Sequence, residues 1–189
     1  MKKVMRKVIT ILMMVTIMAA VLPASTEAST VPAPTCVKTK AAAVMKETGK
    51  SQAFIVKTDQ TGRGTAYMMR KTAKGKVVCD RSGAVILGRN EVVLKSYAYA
   101  FDRCRDTEKT VMSWTQNGVK HRQRYTSFIE CTEAPAFTIM VHSYVEYKQG
   151  STWKVCKGTS KNKNGLAMCK EFAHYLWSCA DPGCPVRFM

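Results

Sequence analysis

Three histidines, His121, His142 and His174, and eight cysteines are the side chains best suited to chemistry in this chain. Two histidines flanking a phosphodiester, one as base and one as acid, with a lysine for the developing charge, would form a hydrolytic site. His121 and His142 fall on separate strand-like segments, and nothing in their spacing brings them together. Taken singly, His121 belongs to a solvated basic strand and His142 to the polar face of its own strand. No GxSxG, HExxH or phosphate-cradling glycine loop is present. A secreted phosphodiesterase or nuclease-like hydrolase is therefore a rival reading for which no catalytic residue can be named.

The cysteines are Cys36, Cys79, Cys104, Cys131, Cys156, Cys169, Cys179 and Cys184. An even number in an exported chain predicts disulfide staples. No CxxC pair or cysteine–histidine spacing of the zinc type exists, so neither a metal site nor a cofactor is expected. In "SCADPGC", Pro182-Gly183 suits the centre of a type II turn, since proline presets φ and glycine accepts a positive one. That turn would bring Cys179 towards Cys184. A disulfide-anchored loop of this kind could also be presented to a protein target, as in a protease inhibitor. Cys79, Cys104, Cys131 and Cys156 are spaced 25, 27 and 25 residues apart, the interval one cysteine per hairpin would produce.

Export is read from the first residues. Lys2, Lys3, Arg6 and Lys7 precede an apolar run from Val8 to Leu22, and small residues follow, with Thr26 and Ala28 at the −3 and −1 positions of a cleavage site. This order predicts a signal peptide over residues 1–28. The run is 15 residues long, interrupted only by Thr10 and Thr16, where a membrane span needs about 20. Residues 29–34 read as an extended leader and 35–189 as a single domain, and the protein is expected to be secreted.

The whole chain carries 30 Lys and Arg against 13 Asp and Glu. Without residues 1–28 these become 26 and 12, a net charge of +14 over 161 residues. In "VKHRQRY", Lys120, Arg122 and Arg124 alternate, so on a strand they share one face at spacings of about 6.5–7 Å. Arg70, Lys71, Lys74 and Lys76 form a second group. Lys154, Lys157, Lys161 and Lys163 form a third, most of it in a loop. Clustered cations raise the local potential and speed encounter with anionic surfaces; the plainer alternative is a solvated face kept soluble by charge.

These side chains need strands to hold them. "EVVLKSYAYAF" places Val93, Tyr97, Tyr99 and Phe101 on one face. "FTIMVHSYVEY" places Phe137, Ile139, Val141, Val145 and Tyr147 on one face, with Thr138, His142 and Glu146 on the other. Asn117-Gly118 predicts a type I′ hairpin between "KTVMSWTQ" and "VKHRQRYTSF", and Gln149-Gly150 predicts another turn. "KGK" at 74–76 and "RSG" at 81–83 read as breaks between shorter strands. Upstream, "TCVKTKAAAVMKETGK" predicts a short helix with Thr35 as N-cap and Gly49 as its stop. "GLAMCKEFAHYLWSCA" is ambiguous between helix and strand, with Cys169, Phe172, Ala173, Leu176, Cys179 and Ala180 forming a helical stripe.

The expected fold is mainly β, an antiparallel sandwich or barrel stapled by disulfides, with a short N-terminal helix and a candidate short C-terminal helix. The expected function is a secreted cationic binding protein, not an enzyme, for an anionic polymer or membrane surface such as cell wall, anionic lipid or nucleic acid. An antimicrobial role would suit that charge.

Overall fold

The computed structural model describes residues 31–88, 98–133, 137–156 and 165–189. Helix α1 (Thr35–Thr48) is followed by β1 (Gln52–Thr58), β2 (Arg63–Lys71), β3 (Val77–Leu87), β4 (Tyr99–Gln116), β5 (Val119–Glu133), β6 (Phe137–Ser143), β7 (Glu146–Gln149), β8 (Thr152–Val155) and β9 (Gly165–Met168). Helix α2 (Lys170–Cys179) and β10 (Pro185–Phe188) complete the chain.

The fold is mainly β, as expected, but its sheet is mixed. The strand order is β4-β10-β1-β2-β3-β9-β6-β5-β7-β8, and a further β4–β5 pairing closes the first eight strands into a ring. β1 with β10 and β6 with β9 run parallel. The main core lies on the inner face and includes Phe54, Met68, Phe101, Ile129, Ile139, Leu166 and Val186, joined by Phe172, Ala173 and Leu176 of α2. Helix α1 covers the other face of β1–β3, packing Val37, Ala41, Val44 and Met45 on Ala53, Ile55, Tyr67 and Met69. β1 and β2 are thus buried on both sides, which is why "AFIV" and "AYMM" show no alternation.

The local signals act largely as predicted. Asn117 and Gly118 have φ of 50° and 74°, the two positive values of a I′ turn. Gly49 ends α1 in the left-handed region at φ 68°. Gly183 at φ 79°, with the Cys184 N–H donating to the Asp181 carbonyl, forms the Pro-Gly turn. The ambiguous C-terminal segment is β9 followed by α2.

Several expectations are corrected. The N-cap of α1 is Pro34, not Thr35, and no side chain caps the helix. Arg81–Gly83 does not break a strand: β3 runs through it. Gly83 is required there because an added Cβ would lie 2.6 Å from Phe172 Cδ1. The single face read along "FTIMVHSYVEY" divides. Ile139 and Val141 enter the main core, Val145 joins a smaller cluster with Tyr125 and Phe128, and Tyr147 is exposed. The division falls at Tyr144, whose N–H donates to the Met168 carbonyl; beyond it the chain leaves β9, and β7 pairs with an earlier part of β5 and with β8. Of the "EVVLKSYAYAF" face, Val93 and Tyr97 lie outside the described residues, while Tyr99 and Phe101 are buried in the main core.

The expected disulfide staples are not formed among the described residues. Cys36, Cys79, Cys131, Cys156, Cys169, Cys179 and Cys184 are free thiols, and the Cys104 side chain lies outside the described residues. The strand registers give a physical reason for one close pair. Cys131 is the partner of Phe101 on one side, and the Phe101 N–H donates to the Cys184 carbonyl on the other. The intervening strand holds the two cysteine backbones two strand spacings apart, about 9–10 Å, beyond the roughly 7 Å limit for a bridge. The Pro-Gly turn does not join Cys179 to Cys184 either, since Cys184 is buried in the main core while Cys179 is exposed at the end of α2.

Candidate functional site

The C-terminal part of β4 and the N-terminal part of β5 form a two-stranded arm, widened by β7 and β8. Its register separates two faces. Thr110, Arg124, Glu146 and Val155 form one cross-strand row. Ser113 pairs with Arg122, Lys148 with Trp153, and Thr115 with Lys120 on the same face. The alternation read from "VKHRQRY" therefore does place Lys120, Arg122 and Arg124 side by side, and the structure adds Lys148.

This face is ordered by charge. Arg124 donates from Nη1 to Glu108 at 2.6 Å and from Nε to Glu146 at 2.9 Å. Arg122 donates to Glu108 at 2.7 Å and to Thr110 Oγ1 at 2.6 and 3.1 Å. The Arg124 guanidinium lies 3.9 Å from the Trp153 ring centre and that of Arg122 lies 5.9 Å away. Although the chain carries 30 Lys and Arg against 13 Asp and Glu, two carboxylates stand beside these cations. Glu108 and Glu146 are near, because β4 and β7 flank β5. Lys120 and Lys148 are exposed and make no ion pair among the described residues. Four cations thus face two carboxylates.

The other sequence candidates are dispersed. Arg70 forms a two-pronged pair with Asp80, at 2.8 and 2.9 Å, and that carboxylate raises its pKa further. Lys71, Lys74 and Lys76 are exposed around the β2–β3 turn. Following the registers from β3 through β9 and β6 to β5 shows that this turn and the arm point towards the same end of the sheet. Lys154 sits on the opposite face of the arm, in the row of Tyr147. Lys157, Lys161 and Lys163 lie outside the described residues.

The histidines do not form a pair. His121 stacks on Trp114 on the arm, with ring centres 5.0 Å apart. His142 is fully buried, against the expectation of a polar face, because α2, Tyr125 and the neighbouring strands surround β6. Its ring stacks on Tyr125 at 3.9 Å, Nδ1 lies 2.7 Å from the Ser143 carbonyl, and burial pushes its pKa down to about 4. His174 is exposed on α2, 3.5 Å from Ser127 Oγ. Among the described residues no three metal-ligating side chains converge, and no helix is long and apolar enough to cross a membrane.

Lys148, Trp153, Glu108 and Glu146 escaped the reading of the sequence. Lys148 was accessible, being two residues from Glu146 and on the same side of a strand. Trp153 and the two glutamates become partners only through long-range pairing.

No family model and no curated protein sequence matches the chain. Among solved structures it is similar to a fused Zn-dependent amidase/peptidase/peptidoglycan-binding domain-containing protein from Clostridium acetobutylicum. Identity is 11%, the TM-score is 0.51, and the match covers 84% of this chain and 64% of that one. It is also similar to L,D-transpeptidase 1 of Mycobacterium tuberculosis, at 12% identity and a TM-score of 0.39, over 72% of this chain and 62% of that one. The chain spans less than two thirds of either protein. At these identities the likeness to the first is one of fold.

Proposed function

We propose that this is an exported, cationic, non-enzymatic protein that binds anionic polymers through the charged face of the arm, cell-wall polymer first among them. Residues 1–28 act as its cleaved signal peptide. The observation that carries this reading is the set Lys120, Arg122, Arg124 and Lys148 on one exposed ribbon, of which, among the described residues, the two arginines are paired with Glu108 and Glu146 and the two lysines with no carboxylate. Glu108 and Glu146 take some of the arginine donors, and each guanidinium has five. The rest remain for phosphate or carboxylate oxygens. Because the ion pairs and Trp153 already hold the guanidinia, less side-chain freedom is lost on binding. The fold shared with a protein whose name includes a peptidoglycan-binding domain makes wall polymer the first ligand to test. The exposed Lys71, Lys74 and Lys76, at the same end of the sheet, extend the positive surface.

The test uses Lys120→Gln/Lys148→Gln, which removes two charges that have no ion-pair partner among the described residues. Binding to purified teichoic acid and to duplex DNA is measured at several salt concentrations. The variant should bind both more weakly. For duplex DNA the log-affinity against log-salt slope should flatten by about 0.9 per lost phosphate contact. Unchanged affinity and slope would mean a solvated face only. Absence of wild-type binding near physiological salt would remove the proposed function.

A further inference from the structure

The second face of the arm has a different character. Met112, Gln123, Tyr147 and Lys154 form one row, Trp114 and His121 the next, and Gln116 and Val119 the row beside the turn. Met112 and Val119 are 56% and 57% exposed, Trp114 and Tyr147 both 37%. Among the described residues every exposed large apolar side chain lies on the arm; the fifth, Val155, is on the charged face. A cluster of this kind on one element marks an interaction surface.

We infer that this apolar face docks the arm onto an anionic phospholipid bilayer, a second surface beyond the polymer-binding one. Three observations select that occupant. The most exposed side chains are aliphatic, and aliphatic groups suit an acyl boundary, while Trp114 and Tyr147 carry the apolar body and polar edge that suit the headgroup level. The three rows hold no carboxylate, Lys154 lies in the first of them and Lys109 in the adjoining row, so the surface complements negative headgroups. A second copy would bring the same positive charges and be repelled by them. The polar Asn117-Gly118 tip fits an arm lying flat in the interface rather than one driven through it.

The test measures binding of the exported protein to phosphatidylglycerol-containing vesicles, to pure phosphatidylcholine vesicles and to soluble teichoic acid. Wild type should prefer the anionic vesicles. Met112→Gln/Val119→Gln, which keeps every charge, should lose at least about tenfold in vesicle affinity and keep its teichoic acid binding. Lipids brominated on the acyl chains should quench wild-type fluorescence more than that of Trp114→Phe. Equal vesicle affinity of the double variant and wild type, or equal quenching, would overturn the inference. So would a shift from dimer to monomer in the variant, which would make the face a contact between copies. Loss of teichoic acid binding by Lys120→Gln/Lys148→Gln with vesicle binding retained tests the polymer reading separately.

Discussion

Replacing Arg124 by glutamine should destabilise the protein far more than replacing Arg122, although the two are neighbours on one face. The Arg124 side chain is 18% exposed and that of Glu146 only 9%. Arg124→Gln removes two charge-assisted bonds and leaves the Glu146 carboxylate shielded from water without its cation. Hydrogen bonds to charged groups contribute about 1.5–3 kcal/mol, and loss of the Trp153 stack adds about 0.5–1. The expected cost is about 2–4 kcal/mol, or roughly 4–16 °C in Tm for a chain of this length. Arg122 and Glu108 are 41% and 35% exposed, so Arg122→Gln should cost about 0–1 kcal/mol. Urea denaturation reads the global effect, and hydrogen exchange of the arm amides reads local opening. Adding Glu146→Gln to Arg124→Gln should recover part of the loss. If the two arginine variants are indistinguishable by both measurements, the ion-pair argument is wrong.

Burial makes stability depend on acid through His142. Its folded pKa of about 4 lies below the ordinary 6.5, so between these values the unfolded chain binds the proton and the native one does not. Stability is therefore intact above about pH 6.5 and falls as pH falls, by about 2.5 kcal/mol at pH 4.5. His142→Phe should show a shallower acid loss in denaturation curves, and parallel curves would contradict this. Thiol labelling should follow burial. Cys36, Cys169 and Cys179 should alkylate in the native protein. Cys131, whose burial raises its pKa strongly, and Cys184, which burial pushes up to about 12, should react only after unfolding. Mass spectrometry after alkylation checks this, and lack of labelling at the exposed three without reductant would restore a stapled architecture. Gly83→Ala should cost about 1–3 kcal/mol by overpacking. Phe172→Leu should relieve part of that cost, and additive effects would show that the two positions do not meet.

The sequence by itself determined the features that neighbouring residues can dictate. Asn117-Gly118 sets its turn because two adjacent residues must take positive φ, and Gly49 stops α1 for the same local reason. Once "VKHRQRY" is extended, the period of two places Lys120, Arg122 and Arg124 on one face without reference to the rest of the chain. Tertiary structure decided everything that depends on what lies across from a residue. β6 lost its expected inside and outside because α2 and other elements cover both of its faces, so His142 became a buried neutral base. Two of the arm's cations acquired carboxylates from strands 14 to 22 residues away. The even cysteine count carried no information about separation. Strand β4 keeps Cys131 and Cys184 apart, and that follows from the order in which distant strands pair. Alternation and turn chemistry are properties of a few consecutive residues, whereas register, closure and burial arise only when remote segments exclude water from one another.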